Sequence, residues 1–464
     1  MKNSNTLYLP QQLELFKPIH IFAAHRLTNY KFTFVDLFAG IGGFRIPLEQ
    51  LGGKCLGYSE IDKAAIKVYE QNFVGYCNLE EKNLGDIRQI SKLPFAVDII
   101  VGGVPCQSWS VAGNLQGFKD PRGQLWFDTI RVIKENKPKS FIFENVRTLM
   151  SDVHRSSLDL LLTEFENLGY KVKVSLLNSY DFGVPQNRER TFIVGINNAI
   201  EKASKFKFPE PLKEQAKLIN ILDTNKDFQL DVKPKINPSI LFGDKVPYSR
   251  NRFQKADEFN DFFVFCDTRD GHTTIHSWDI IKTTKREKQI CLTILRNRRK
   301  KKYGEKDGNP LSFDVLAELI PNLEIKEVEQ LISKNILRYV VNLGYEFVNS
   351  KNSAGINGLY RIFLPSSDAI PTLTATGTND FIATVSLKHC EDPVTYKKLF
   401  LREIYRKKRY RPISALDAKR LQGFPEWFQM HENENIAKFQ FGNAVSVPVV
   451  YHLAKSLLDL LVIN

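Results

Sequence analysis

The sequence predicts an α/β protein: a doubly wound, mostly parallel sheet, with a second, smaller irregular domain. Three observations predict it. Short apolar runs alternate with amphipathic helical patterns from Phe32 to about Ile196, the order that strand–helix–strand crossovers require. A glycine-rich turn, Phe38-Ala39-Gly40-Ile41-Gly42-Gly43, joins the first apolar run to the first helical pattern, as in sheets that bind ligands at strand ends. From about 197 to 370 the periodicity breaks and Lys, Asn, Asp and Pro become more frequent.

The elements follow in order. Residues 32–38 read as a strand, 44–51 as a helix and 54–59 as a second strand. Residues 62–73 form an amphipathic helix with Asp62 suited to its N-cap. Gly85-Asp86-Ile87 falls near the end of a short third strand. The run 98–101 is a buried strand, and Gly102-Gly103-Val104-Pro105 ends it abruptly. A helix over 124–135, a strand over 140–146 and a helix over 157–168 come next, the last stopped by Gly169. Strands near 171–177 and 191–196 close the pattern. The expected domains are an N-terminal extension (1–31), a catalytic domain (32–196), a second domain (197–370) and a segment (371–464) returning to the first. Inside the second, 313–320, a Pro321-Asn322 break and 325–334 form a helix–turn–helix-like pattern. It is either part of a small winged-helix insert over 285–340 or a plain helical excursion.

Composition narrows the function. With 464 residues, 43% hydrophobic and 11% aromatic, the chain can bury full cores. It has no apolar stretch near the roughly 18–20 residues that span a membrane. The first residues, Met1-Lys2-Asn3-Ser4-Asn5, lack the apolar core of a signal peptide, so a cytoplasmic protein with no membrane partner is expected. The six cysteines form no CxxC pair, which argues against zinc or any other metal site and against a disulfide framework. A reducing compartment would keep Cys106 a thiol. The net charge of +13 fits either a polyanionic partner or a basic solvated surface. Its distribution favours the first. Residues 285–302 hold nine cations against Glu287 alone, and 397–411 add a second cluster with Tyr405 and Tyr410 interleaved.

Several side chains stand where chemistry could occur. Cys106 follows the stiff Gly-Gly-Val-Pro segment at a strand end. The turn at Phe38, Ala39, Gly40, Gly42 and Gly43 lets a ligand approach backbone closely. Glu60, 17 residues beyond Gly43, ends the second strand, where a carboxylate binds ribose hydroxyls in dinucleotide folds. Asp86 is placed to meet an adenine amino group. The trio fits a nucleoside cofactor, and its GxGG spacing disfavours NAD. Glu144 ends an otherwise apolar strand; it either caps a following helix or is a proton donor with a raised pKa. Arg188 and Arg190 point the same way if their segment is extended. They fix an anion, order Glu144 or form surface ion pairs.

In order along the chain, these segments resemble the C5-cytosine-specific DNA methyltransferases of bacterial restriction–modification systems. The matching blocks are Phe38–Gly43, Tyr58-Ser59-Glu60-Ile61-Asp62, Gly85-Asp86-Ile87, Pro105-Cys106-Gln107, Glu144-Asn145-Val146 and Gln186-x-Arg188-x-Arg190. Thr372-Leu373-Thr374-Ala375, Arg420-Leu421-Gln422-Gly423-Phe424-Pro425 and Gly442-Asn443-Ala444-Val445 continue the series. The match covers roughly 32–196 and 365–455, with Val104 and Trp109 as mild departures. The resemblance implies a Rossmann-like fold with S-adenosylmethionine as cofactor. It would be held by the glycine turn, Glu60, Ile61, Asp86, Ile87, Gly103, Pro105, Asn443 and Ala444. It implies double-stranded DNA as substrate, a cognate restriction endonuclease as genetic rather than physical partner, and a monomer. Residues 197–370 become a target-recognition domain. Gln107, Ser110, Arg122, Thr372, Thr374 and Thr376 become expected DNA contacts.

The implied mechanism explains the reacting groups. Cys106 thiolate attacks cytosine C6 and makes C5 nucleophilic; Glu144 assists at N3 and the exocyclic amine. Arg190 contacts the base near O2, while Arg188, placed with the catalytic set, more readily orders the site. The base must leave the stack to react. Two other readings share these residues: a tRNA-methylating relative, disfavoured by the long basic variable domain, and a non-catalytic DNA-binding protein, disfavoured by intact Cys106, Glu144 and Arg190.

Overall fold

The computed structural model describes residues 30–74, 81–105, 118, 123–214, 216–222, 264–265, 281–305, 308–348, 361–365, 369–374, 380–385, 387 and 393–461. The chain forms two compact units. The first holds Met1–Asp223, Pro371–Gly377 and Ser414–Asn464; the second holds Thr224–Ile370 and Thr378–Ile413. These boundaries differ from the expected ones in two places. Residues 197–223 stay with the first unit, and 378–413 leave it again. The cause of the second is pairing: β14 (Asp380–Ala383) and β15 (Tyr410–Pro412) join β9 (Val264–Phe265) and β12 (Arg361–Phe363) in one sheet of order β15-β14-β12-β9.

The first unit is built on seven strands: β1 (Phe32–Leu37), β2 (Gly53–Ser59), β3 (Lys82–Asn83), β4 (Ile99–Gly103), β5 (Ser140–Val146), β6 (Tyr170–Asn178) and β8 (Glu189–Asn197). β7 (Gln186–Asn187) lies outside this sheet, whose order is β3-β2-β1-β4-β5-β8-β6. Pairs β1·β2, β2·β3, β1·β4 and β4·β5 are parallel; β8 runs antiparallel to both β5 and β6. The sheet is doubly wound and mostly parallel, as expected.

Alternation along the strands assigns their side chains to two cores. Phe34, Val101, Ile142 and Val194 pack with α1 (Arg45–Gln50) and the C-terminal helix α11 (Val447–Leu458). Val35, Ile100, Phe141, Phe143 and Ile193 pack on the other face. They meet Trp126 and Ile133 of α3 (Leu125–Asn136), and Leu161 and Phe165 of α4 (Arg155–Asn167). Each such fully buried side chain contributes about 1.5–3 kcal/mol. α2 (Lys63–Phe73) starts at Asp62, whose carboxylate accepts from the Ala65 N–H at 2.8 Å. Gly169 takes φ +89° just after α4, which ends the helix where a side chain would be strained.

The second unit contains a small module with its own core. α5 (Lys285–Asn297) is followed by Leu311, which bridges antiparallel to Tyr345. Then come α6 (Phe313–Leu319), α7 (Ile325–Ser333) and a hairpin of β10 (Leu337–Val340) with β11 (Gly344–Phe347). Helix, strand, two helices and a hairpin is the winged-helix order. Ile290, Ile294, Leu316, Val328, Leu331 and Phe347 are buried together, and the whole cluster lies between residues 281 and 347. Later in the chain, α8 (Pro393–Phe400) belongs to the second unit, whereas α9 (Ala415–Leu421) and α10 (Glu434–Asn443) belong to the first.

Candidate active site

The site lies where β4 and β5 end side by side. Gly103 pairs with Glu144, and a Cβ on Gly103 would stand 3.8 Å from Glu144 Oε2. Only a glycine therefore faces the carboxylate from β4. On the other side, β8 places Phe192 opposite Glu144 and Arg190 opposite Val146. Arg190 reaches diagonally and its Nε meets Glu144 Oε1 at 2.9 Å. Glu144 is 8% exposed. Burial raises its pKa, opposed by Arg190 and then Arg188. The result is a carboxyl group that keeps its proton to higher pH than an ordinary glutamate, held in place by a cation.

Asn145 fixes the loop leaving β4. Its Nδ2 donates to the Val104 carbonyl at 3.0 Å, and its Oδ1 accepts from the Val146 N–H at 2.9 Å. The next residues are Pro105 and Cys106. Cys106, Gln107, Ser110, Arg122 and Thr376 lie outside the described residues, so the expected approach of the thiol to Glu144 and Arg190 does too.

The glycine turn forms a second edge of the same sheet. Phe38, Gly40 and Gly42 all take positive φ (54°, 56° and 86°). A Cβ at Gly42 would stand 2.2 Å from the Phe73 ring, whereas one at Gly40 would meet nothing within 4 Å. The turn is thus packed below and open at Gly40. The Ala39 N–H donates to Ser59 O at 3.0 Å. Gly43 abuts Val445, whose Cγ1 a Cβ there would approach to 2.8 Å. That contact brings Asn443 and Ala444, at the end of α10, beside the turn. Glu60 was expected to face ribose hydroxyls. Its Oε2 accepts from the Gly40 N–H at 2.8 Å; its Oε1 accepts from Ile61 and Asp62 at 2.7 and 2.9 Å. Roughly one acceptor position of the four on a carboxylate remains. Ile61 beside it is 66% exposed, while Ile87 is 2% exposed and packed in the core. Asp86 caps the turn after it and forks with Arg88, Nε lying 3.0 Å from each oxygen; this partner holds the carboxyl below its usual range.

Arg188, placed with the catalytic set, is expected to order the site. It is 1% exposed. Nη1 donates to Leu373 O at 3.0 Å, and Nη2 to Gly442 O and Ala444 O at 3.1 and 2.9 Å. A guanidinium that ties three backbone carbonyls together is a positioning group. Gln186 works beside it: Oε1 accepts from the Leu373 N–H and Nε2 donates to Leu421 O, at 2.9 and 2.8 Å. Thr372, expected on a phosphate, donates its hydroxyl to Asn187 O at 2.9 Å; Thr374 is exposed.

Sequence reasoning missed two buried charges. Asp36 in β1 is fully buried, neither oxygen has a hydrogen-bond partner among the described residues, and burial pushes its pKa well up against the opposing charge of Arg45. Arg45 is buried under Tyr69 and Phe73, bonded to Glu49 and bidentate to Glu81. The polar residue inside the apolar run Phe34-Val35-Asp36-Leu37 was the available signal for the first.

The family model for C-5 cytosine-specific DNA methylases matches residues 32–459. The chain belongs to that family. The enzyme is 47% identical over 427 residues to the Type II methyltransferase M.HgiBI of Herpetosiphon aurantiacus, covering 92% of this chain and 97% of that one. It is 33% identical to the Type II methyltransferase M.BanI of Aneurinibacillus aneurinilyticus, covering 92% and 96%. Among solved structures, the S. pombe Dnmt2 methyltransferase aligns with TM-score 0.51 at 15% identity, over 93% of this chain and 99% of that one. The Entamoeba histolytica methyltransferase EhMeth aligns with the same score at 14% identity. These two share the fold. Among the described residues, no helix of the enzyme is long and apolar enough to cross a membrane.

Proposed function

We propose that the enzyme methylates C5 of a flipped-out cytosine in duplex DNA, as the protecting half of a Type II restriction–modification system. The carrying observation is the pairing of buried Glu144 with partly exposed Arg190 at the carboxyl edge of β4 and β5, beside the loop that leads into Cys106.

The residues around the glycine turn suit S-adenosylmethionine. The open face of Gly40, the remaining acceptor of Glu60 and the exposed Ile61 offer backbone, ribose and adenine contacts. Asp36, whose two buried oxygens have no hydrogen-bond partner among the described residues, is a carboxyl that positive charge at the same edge would ionise. When bound, the cofactor supplies an electrophilic methyl group.

The chain's own residues then do the following. Cys106 thiolate adds to C6 of the base, and the electrons move through the ring to N3. Glu144, whose pKa burial raises, donates a proton to N3. Arg190 keeps Glu144 in place and neutralises the carboxylate left behind. Its Nη1 donates to Glu189 O at 2.9 Å, which fixes the guanidinium near where the base would lie. After C5 is methylated, loss of the C5 proton expels Cys106, and N3 returns its proton to Glu144. Arg188 and Gln186 take no part in bond making. They hold 373, 421, 442 and 444 together, so that both edges of the site keep one geometry.

The test compares methyl incorporation from labelled cofactor into mixed-sequence duplex DNA and into tRNA, followed by sequencing for 5-methylcytosine. Incorporation confined to cytosine in duplex DNA is expected. Transfer to tRNA alone would overturn the reading.

A further inference from the structure

The winged-helix module raises a separate question: which of its faces meets DNA. In helix–turn–helix proteins the second helix of the motif enters the major groove, and α7 occupies that place here. Its charges do not suit the task. Residues 324–334 carry Glu324, Glu327 and Glu329 against Lys326 and Lys334. Lys326 pairs with Glu324 at 2.5 Å, and Lys334 with Glu287 at 2.6 Å. Glu324 and Glu327 also close the capping box at the N-terminus of α7, the end that would point at base edges. Glu324 and Glu327 there, the latter paired with Arg286 at 3.0 Å, and Glu329 further along would face phosphates at a cost. The wing is no better placed: Tyr339, Val341 and Leu343 expose apolar surface, and Arg338 is paired with Glu346.

The module's positive charge is gathered elsewhere. Arg296, Arg298, Arg299, Lys300, Lys301 and Lys302 follow within seven positions at the end of α5, and no carboxylate interrupts them. Arg298 is buried against the Phe347 ring, so it is part of the module's structure. The other five are exposed. A helix C-terminus is satisfied by one or two cations in its last turn, and that effect fades beyond it. Lys300, Lys301 and Lys302 lie past the cap at Arg298. They repel one another without helping the helix, and a polyanion resolves that repulsion.

We infer that the module grips the DNA backbone through the turn at 296–302, and that α7 does not read bases. The partner is duplex DNA, so the inference rests on the function proposed above and adds where the phosphates are held. The module thereby supplies sequence-independent attraction alongside whatever surface selects the target.

The experiment measures Kd for a target and a non-target duplex from 50 to 200 mM KCl. It compares the full-length wild type with Arg299→Gln/Lys300→Gln/Lys301→Gln/Lys302→Gln. Every phosphate that is no longer neutralised makes the slope of log K against log salt shallower by about 0.9. The expected result is a slope shallower by up to roughly 3.6, equally for both duplexes. Lys300→Gln/Lys301→Gln, a milder change at exposed positions, should give about half that reduction. Lys326→Ala/Gln330→Ala in α7 should leave affinity and target preference unchanged. A slope unaltered in both basic-turn variants, or a target preference relaxed by the α7 variant, would overturn the inference alone. A wild type that binds neither duplex at any salt would instead overturn the proposed function.

Discussion

The two units use charge in opposite ways. In the first, Arg45, Glu144 and Arg188 are buried and held by hydrogen-bonded partners. In the winged-helix module, Arg296, Arg299, Lys300, Lys301 and Lys302 are exposed in one turn. A buried charge costs several kcal/mol to desolvate and is retained only where its partners fix it, so it encodes geometry. An exposed cation costs little and is screened over about 8–10 Å, so it encodes attraction. The site needs the first kind because a carboxyl, a guanidinium and a loop must meet within hydrogen-bond distance. A backbone grip needs only the second.

This contrast can be broken at several points, beginning with the reacting carboxyl. Glu144→Gln should lower the single-turnover methylation rate by about 10²–10⁴-fold. Folding stability should change little, since the amide keeps the size of the carboxyl group and an oxygen that accepts from Arg190. A variant within tenfold of wild type would remove Glu144 from proton transfer. Arg188→Ala should cost about 3 kcal/mol or more in urea denaturation, because three backbone carbonyls lose their donor at about 1–3 kcal/mol each. A loss under about 1 kcal/mol, the range of a surface pair, would show that the clamp is dispensable.

Arg190→Gln sharpens the same comparison without deleting the reacting group. Arg190 lowers the pKa that burial raises at Glu144, so its loss must raise that pKa further. The limb of the pH–rate profile that reports the Glu144 proton should move to higher pH. A movement to lower pH, or none, would contradict the pairing.

At pH 4 and below, where the folded-state carboxyl is protonated, Asp36→Asn is expected to have the smallest effect, about 1 kcal/mol or less. The folded-state pKa of Asp36 lies well above its ordinary value. Its contribution to stability is therefore fully present below the unfolded carboxyl pKa, near 3.9, and is lost as pH rises towards the folded value. The variant should gain on wild type as pH rises from 4, followed as Tm. A difference that shrinks with pH would mean the carboxylate has a charged partner.

Much of this was legible in the sequence. The alternation of Phe34 and Val35, or Phe141 and Ile142, between the two cores follows from strand period alone. The capping of α2 by Asp62 and the stop at Gly169 follow from local chemistry. The placement of Glu144 at a strand end beside an arginine was also legible, because an apolar strand rarely ends in a carboxylate without a reason. Other features depend on contacts between distant residues. By residue type and spacing alone Arg188 is a twin of Arg190, two positions along; the family resemblance, not the residues, gave it the ordering role. What separates them is the arrival of 373, 442 and 444, far along the chain. The return of 378–413 to the second unit is likewise decided by the pairing of β14 with β12 and β15. Helix patterns at 313–320 and 325–334 could be read, but only Leu311 bridging to Tyr345 makes them a winged helix.

The most direct test is covalent trapping on a duplex carrying 5-fluorocytosine at the methylated position. Fluorine at C5 blocks the proton loss that frees Cys106. Wild type with S-adenosylmethionine should form a complex that survives denaturation, and Cys106→Ser should form none. A complex of equal yield in Cys106→Ser would contradict the account, because some other group would then be the nucleophile.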